Sequence, residues 1–345
     1  MKTSVLDSAR TKLDKGDSVE SRECGAFVIS LDFELYWGVR DYVMTHPSYL
    51  GNVEGERGAI PEILKAFHEY DIAATWATVG FLFADSLEEF ESFKPKKLPE
   101  YGDRSLSPYE DSFDQIKCEP SIYFAPDLIR MISHTPMQEI ATHTYSHYYC
   151  LEAGQTSDDF RSDIESAIAI ASKFEVKPRS IVFPRNQHNP KYDKILIENG
   201  IICFRGNQSS QIYQFGGNTQ RNPLYRLARL ADSYVSLTGK NTYKWPVPAL
   251  GSLVNIPASL FLRPVSKISG LYEDQQFRRI AKCLDRAAHR NEVFHLWWHP
   301  HNFGVHLKEN IGFLRRILDH FEQLRLKSGL KSFSMVGLAE QAARG

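Results

Sequence analysis

The 345-residue chain lacks most of the features that assign a sequence at a glance. Its five cysteines, at 24, 118, 150, 203 and 283, are odd in number and scattered, which does not make a disulfide framework and suits reduced, mostly buried thiols. It has almost no net charge. The 41 Lys and Arg against 42 Asp and Glu give −1, so no basic field is available to hold nucleic acid or an anionic membrane, and a small or neutral partner is the expectation. No run approaches the roughly 18 apolar residues of a membrane span. The first two dozen residues are polar and mixed in charge, without the apolar core of a secretory signal, and a cytoplasmic location is expected. Internal repeats and low-complexity segments are also missing. What remains is an ordinary globular composition, 42% hydrophobic and 24% charged. Residues 1–24 read as a disordered or loosely docked lead, and 25–345 as one domain.

That domain alternates short apolar runs with amphipathic ones. Ala26-Phe-Val-Ile-Ser-Leu31, Asp71 to Gly80, Gln138 to Thr142, Ser180 to Phe183, Ile201 to Phe204, Val293 to Trp298 and Lys331 to Val336 read as strands buried in a parallel sheet. Helical faces fall between them: Gly58 to Tyr70, opened by Pro61, then Pro126–His134, Ser157–Lys173, Asp193–Gly200, Gln275–His289 and Glu309–Leu326. Residues 40–58 read as a loop. Residues 85–121, charged and rich in proline, and 205–260, rich in Gln, Asn, Ser and Gly, read as insertions, the second a place for substrate-specific loops. Strand and helix in alternation predict an α/β barrel or a close relative.

Chemistry-bearing residues collect where strands end. His143 and His147 lie four apart in Ile140-Ala-Thr-His-Thr-Tyr-Ser-His147, a spacing that puts two imidazoles on one face if the stretch makes a helical turn. Two imidazoles suit one borderline metal ion, and a hydrolytic site adds a carboxylate while leaving a position open for water. Asp32 and Glu34 supply carboxylates at the end of the first strand. A third stretch, His295-Leu-Trp-Trp-His-Pro-His301, ends another strand in His299. With Thr144 after His143, no glutamate stands between the two histidines, which disfavours a zincin-type protease.

Four stretches in this order resemble the polysaccharide deacetylases, the NodB-type fold of carbohydrate esterase family 4: Asp32-Phe-Glu34, Ala73-Ala-Thr-Trp-Ala-Thr-Val-Gly80, His143-Thr-Tyr-Ser-His147 and Leu296-Trp-Trp-His299. The resemblance spans about 25–205 and 275–340. It implies a distorted (β/α)7 or (β/α)8 barrel that removes N-acetyl groups from amino sugars with one divalent metal ion, Zn²⁺ being the expected one. Departures are visible. The family's commoner first motif has adjacent aspartates, so base and ligand are assigned here by order and the two roles could be exchanged. The family's motif arginine precedes a proline, whereas Arg185 follows Pro184; Tyr148 stands where a proline usually follows the second histidine; the tryptophan-containing fourth motif is missing.

The residue types themselves fit amide hydrolysis. A metal ion on Glu34, His143 and His147 would activate water and polarise the carbonyl. Asp32 is the candidate base and His299 the acid that protonates the departing amine. Trp37 and one of Trp297 and Trp298, taken as Trp298, are candidates to stack on a sugar, the other tryptophan facing the core. Arg185, Asn186 and His301 complete the candidate substrate contacts. The expected activity is removal of an N-acyl group from an amino sugar or saccharide precursor. The alternatives are N-deformylation of a formamido sugar, for example a nucleotide-linked one, and a barrel that binds carbohydrate without catalysis.

Overall fold

The computed structural model describes residues 24–110, 116, 118–208, 241–265 and 272–344. The lead at 1–23 and residues 209–240, most of the expected second insertion, lie outside the described residues. Among the described residues nine strands, all parallel to their neighbours, form one curled sheet: β1 Ala26–Phe33, β2 Ala74–Thr78, β3 Gln138–Thr142, β4 Ser180–Ile181, β5 Cys203–Gly206, β6 Val254–Pro257, β7 Leu260–Phe261, β8 Val293–Trp298 and β9 Lys331–Phe333. The order is β6-β5-β4-β3-β2-β1-β8-β7, with β9 paired to the first half of β1. Its two ends belong to one stretch of chain. β6 pairs with β5, the Ala258 N–H donates to Gly206 O, the Ser259 N–H donates to His295 O, and β7 pairs with β8. Residues 254–261 thus close the sheet on itself as a distorted (β/α) barrel, the architecture expected from the sequence.

Strand alternation sorts the side chains. In β1, Phe27, Ile29, Leu31 and Phe33 pack outward into the large core under the helices, with Ile60, Ile63, Phe67, Leu314 and Phe321. Ala26 and Val28 face inward onto an apolar floor with Cys203, Ile256, Val293, Met335 and Leu338. Above that floor the inward positions turn polar, and the site is built there.

Several elements differ from expectation for local reasons. The helix over residues 58–70 begins at Leu50 and runs to Glu69 with Pro61 inside it, so Pro61 does not open it, and residues 40–58 are not a loop but the short helix Arg40–Thr45, a 3₁₀ turn at Pro47–Tyr49 and the first turns of the long helix. The last strand stops at Phe333 and a helix, Met335–Arg344, follows; its Met335, Leu338, Ala339 and Ala342 seal the barrel floor. No described helix is long and apolar enough to cross a membrane.

Candidate active site

The site gathers at the carboxyl-terminal strand ends, and the residues on β1, β5 and β8 inherit their direction from alternation. On β1 the parity that puts Ala26 and Val28 inside also puts Ser30 and Asp32 inside. On β8 it carries from Val293 through His295 and Trp297 to His299, and on β5 it selects Cys203 and Arg205. These residues meet in layers. Ser30 Oγ lies 2.8 Å from His295 Nε2, and Arg205 Nη1 donates to the same Oγ at 3.1 Å. One step up, Arg205 grips Asp32 with two bonds, Nη1 to Oδ1 at 2.6 Å and Nη2 to Oδ2 at 2.7 Å, and gives a further bond of 3.1 Å to Asn186 Oδ1. Its guanidinium also lies 4.2 Å from the ring centre of Trp297. Burial by itself would raise the Asp32 carboxyl, but the charges of Arg205, His143 and His299 hold it below its ordinary value, so it is ionised at neutral pH.

Glu34 stands one layer higher, where β1 has ended. Its Oε2 is 3.4 Å from His143 Nε2 and 3.2 Å from His147 Nε2. Burial works against the Glu34 anion, yet His299 and the two histidines hold its carboxyl well below the usual range. The Glu34 carboxylate lies over Gly38, where a Cβ would fall 1.9 Å from its carboxyl carbon; only glycine leaves this side chain its place.

The histidines reach Glu34 from a tight loop rather than the helical turn their spacing suggested. After β3 the chain bends with positive φ at Thr144 (63°) and His147 (56°), a costly conformation for a β-branched residue that the surroundings must enforce. Asp163, on the helix Ser157–Ser172, supplies that hold. It accepts the Tyr145 N–H at 2.6 Å, the Ser146 N–H at 3.2 Å and the Ser146 hydroxyl. Thr144 Oγ1 takes the Tyr148 N–H at 2.7 Å.

The donor set fits a divalent cation. His143 Nδ1 lies 2.8 Å from Val182 O; a carbonyl only accepts, so Nδ1 carries a proton and Nε2 is the nitrogen turned to Glu34. The ring of His147 is pushed down to about 4, chiefly by burial, and is neutral at pH 7. Two imidazole Nε2 atoms converging on one carboxylate oxygen in a buried place make a donor set that a borderline divalent ion takes. Separations of 3.2 and 3.4 Å match the spacing of about 3.3 Å between ligand atoms around a tetrahedral ion with bonds near 2.0–2.1 Å. Across from this set, His299 Nε2 is 3.7 Å from Asp32 Oδ2 and 3.5 Å from Glu34 Oε1.

Residues 52–203 match the polysaccharide deacetylase family model. Over that stretch the chain is similar to the polysaccharide deacetylase domain. This family comprises hydrolases that act on amide bonds. The matched stretch contains His143 and His147, while Asp32, Glu34 and His299 lie outside it and join the site through the fold. Solved structures similar to this chain include a polysaccharide deacetylase candidate from Mycobacterium smegmatis (15% identity over 94% of this chain and 92% of that one, TM-score 0.58). A second such candidate, from Pseudomonas aeruginosa PAO1, has 14% identity over 92% and 91%, TM-score 0.55. The Puue allantoinase has 14% identity over 97% of each chain, TM-score 0.55. At these identities the likeness concerns the fold. Among curated proteins none matches the sequence significantly.

The barrel gathers some candidate residues and disperses others. Trp37 is core, 1% exposed, with its indole N–H donated to Tyr123 O and its ring against Phe81. Trp298 is core as well, packed on Phe67 and Phe303. Neither lines the site, and it is Trp297 that shares the parity of His299, with ring centres 5.6 Å apart. Arg185 does not reach Asp32. It pairs with Asp41 at 2.7 Å and covers the ring of Tyr149, whose hydroxyl lies 3.3 Å from His147 Nδ1. Asn186 does reach the site, through Arg205, and His301 stacks beside His299 at 4.9 Å. Arg205 and Asp163 are the residues that sequence reasoning missed. Arg205 was detectable as a charged residue inside the apolar run that begins at Ile201; Asp163 gave no signal apart from its place on a helix with other acids.

Proposed function

We propose that this domain hydrolyses an N-acyl group, N-acetyl foremost, from an amino sugar or saccharide precursor, with Asp32 as general base and His299 as general acid. The observation that carries this reading is the division of labour between the two β1 side chains. Glu34 turns one oxygen to both histidines, whereas Asp32 is held by Arg205 in the layer below and faces His299. This supports Glu34 as ligand and Asp32 as base. Glu34, His143 and His147 would hold a divalent cation, which would supply a lowered pKa for the attacking water and polarisation of the amide carbonyl. Asp32, kept ionised by the guanidinium, takes the proton of that water. His299, on the facing strand end, gives a proton to the amine nitrogen as the C–N bond breaks. Trp297, beside both Arg205 and His299, offers an aromatic face to the sugar.

Acetate and formate release by the zinc-loaded protein, measured on matched N-acetyl and N-formyl amino sugars, tests the reading and separates deacetylation from deformylation. His299→Ala, assayed on an amide and on an activated ester whose leaving group departs as a stable anion, should lose at least about tenfold more on the amide, since acid catalysis is typically worth about 10² to 10⁴. Equal losses would remove His299 from the acid role.

A further inference from the structure

The two oxygens of Glu34 do not face the same groups. Oε2 serves His143 and His147, while Oε1 lies 3.5 Å from His299 Nε2. Glu34, His299 and His301 each bring one ligand atom within 4.8 Å of the others, so a second carboxylate-and-two-imidazole set stands back to back with the first. Behind it, Glu56 on the helix Leu50–Glu69 is fully buried, with its Oε2 3.9 Å from His301 Nδ1. Neither Glu56 oxygen nor His301 Nδ1 has a hydrogen-bond partner, and burial, with Glu34 nearby, pushes the Glu56 carboxyl well above the usual carboxylate range. Asn52 Nδ2 donates to His301 O at 3.3 Å and the Tyr49 hydroxyl to Asn302 Oδ1 at 3.1 Å. The turn that carries His301 is therefore fixed to that helix.

A carboxylate behind an imidazole is the usual outer partner of a metal-bound histidine: it takes the Nδ1 proton and leaves Nε2 for the ion. Burial points the same way: Asp32 is paired with Arg205, whereas no Lys or Arg among the described residues pairs with Glu56, and a nearby cation would supply the positive charge that its ionised form lacks. We propose that Glu34, His299 and His301, backed by Glu56, form a second divalent-cation site bridged to the first through Glu34, and that filling it inhibits the enzyme. The inhibitory part rests on the function proposed above: a His299 whose Nε2 lone pair is bound to an ion has no proton to give the leaving amine.

The test starts from protein loaded with one equivalent of Co²⁺ and adds more, reading stoichiometry from the visible absorption of the bound ion and turnover from N-acetyl amino sugar hydrolysis. The expected result is two equivalents per chain, with turnover falling at least about tenfold as the second binds, the scale of lost acid catalysis. His301→Phe should bind one equivalent and lose the inhibition. Glu56→Gln keeps the shape of the buried side chain and should weaken the second equivalent by about 10- to 100-fold while retaining the first. Wild-type protein that saturates at one equivalent, or a second equivalent unchanged in both variants, overturns the site. Turnover that rises with the second ion overturns its inhibitory role. Absence of turnover at every loading would refute the proposed function instead, and the stoichiometry would still decide whether the second site exists.

Discussion

Arg205→Met leaves Asp32 as a carboxylate in a pocket that has lost its counter-charge. The guanidinium side chain is 0% exposed and that of Asp32 5% exposed, joined by two bonds of 2.6 and 2.7 Å, so neither group can turn to water when its partner goes. Breaking a buried pair of this kind typically costs about 3–5 kcal/mol, because the surviving charge keeps its desolvation penalty and loses its compensation. Asp32→Asn should cost a similar amount by stranding the guanidinium, and should also slow turnover about a hundredfold or more with metal retained. Removing both should cost much less than the sum, since the double variant strands neither charge. Urea unfolding of metal-free wild-type, both single variants and the double variant at pH 7, followed by tryptophan fluorescence, gives the cycle. The pH dependence supplies a second check. The folded pKa of Asp32 lies below its ordinary value, so the stability contributed by ionised Asp32 is present above about pH 4, the unfolded carboxyl's range, and is lost as pH falls through the folded value. Arg205→Met should remove that acid dependence. Single variants within about 1 kcal/mol of wild type, or additive losses, would show that the pair is not the buried, mutually dependent unit described above.

Three other perturbations probe the rest of the site. Gly38→Ala adds a methyl where a Cβ meets the Glu34 carboxylate; metal affinity should fall with all three ligands intact, as equilibrium dialysis would show, and an unchanged affinity would mean that Glu34 is not fixed there. Asp163→Asn cannot accept all the bonds that hold Tyr145 and Ser146, so the His143–His147 loop should loosen and metal affinity drop about 10- to 100-fold, the usual cost of an outer support. Trp298→Ala should cost about 3–5 kcal/mol of stability in denaturant titration, whereas Trp297→Ala should chiefly raise KM; the reverse pattern would put the wrong tryptophan in the site.

How much of this was legible depended on whether a feature is local. Asp32, Glu34, His143, His147 and His299 each end a strand that local apolar patterning marks, and the fold brings them together. The choice of Trp298 over Trp297 was a parity error that the sequence could have corrected: residues two apart on a strand share a face, so the tryptophan beside His299 in space is residue 297. Trp37 could not have been excluded that way, because it follows the end of β1 in a 3₁₀ turn whose direction is set by packing on Phe81 and Tyr123. Arg205 and Asp163 act on residues 173 and 18 positions away in sequence, and no periodicity encodes such a partnership. The Met335–Arg344 helix went unread because its apolar residues follow so closely on β9 that they extended the strand pattern.

The stretch 254–261 has a consequence for how the site comes into being during synthesis. The three residues proposed as ligands are all present in the chain once residue 147 has emerged, but among the described residues the strands that carry Arg205 and lead to His299 are joined in the sheet through β6 and β7. A nascent chain halted before residue 254 would hold the ligands without the seam, leaving the barrel open between β5 and β8. The residues proposed as base and acid can face each other only after β8 has docked, so the order of translation places the proposed ligands, and the Asp163 and Val182 that hold their loop, in the chain well before the proposed acid.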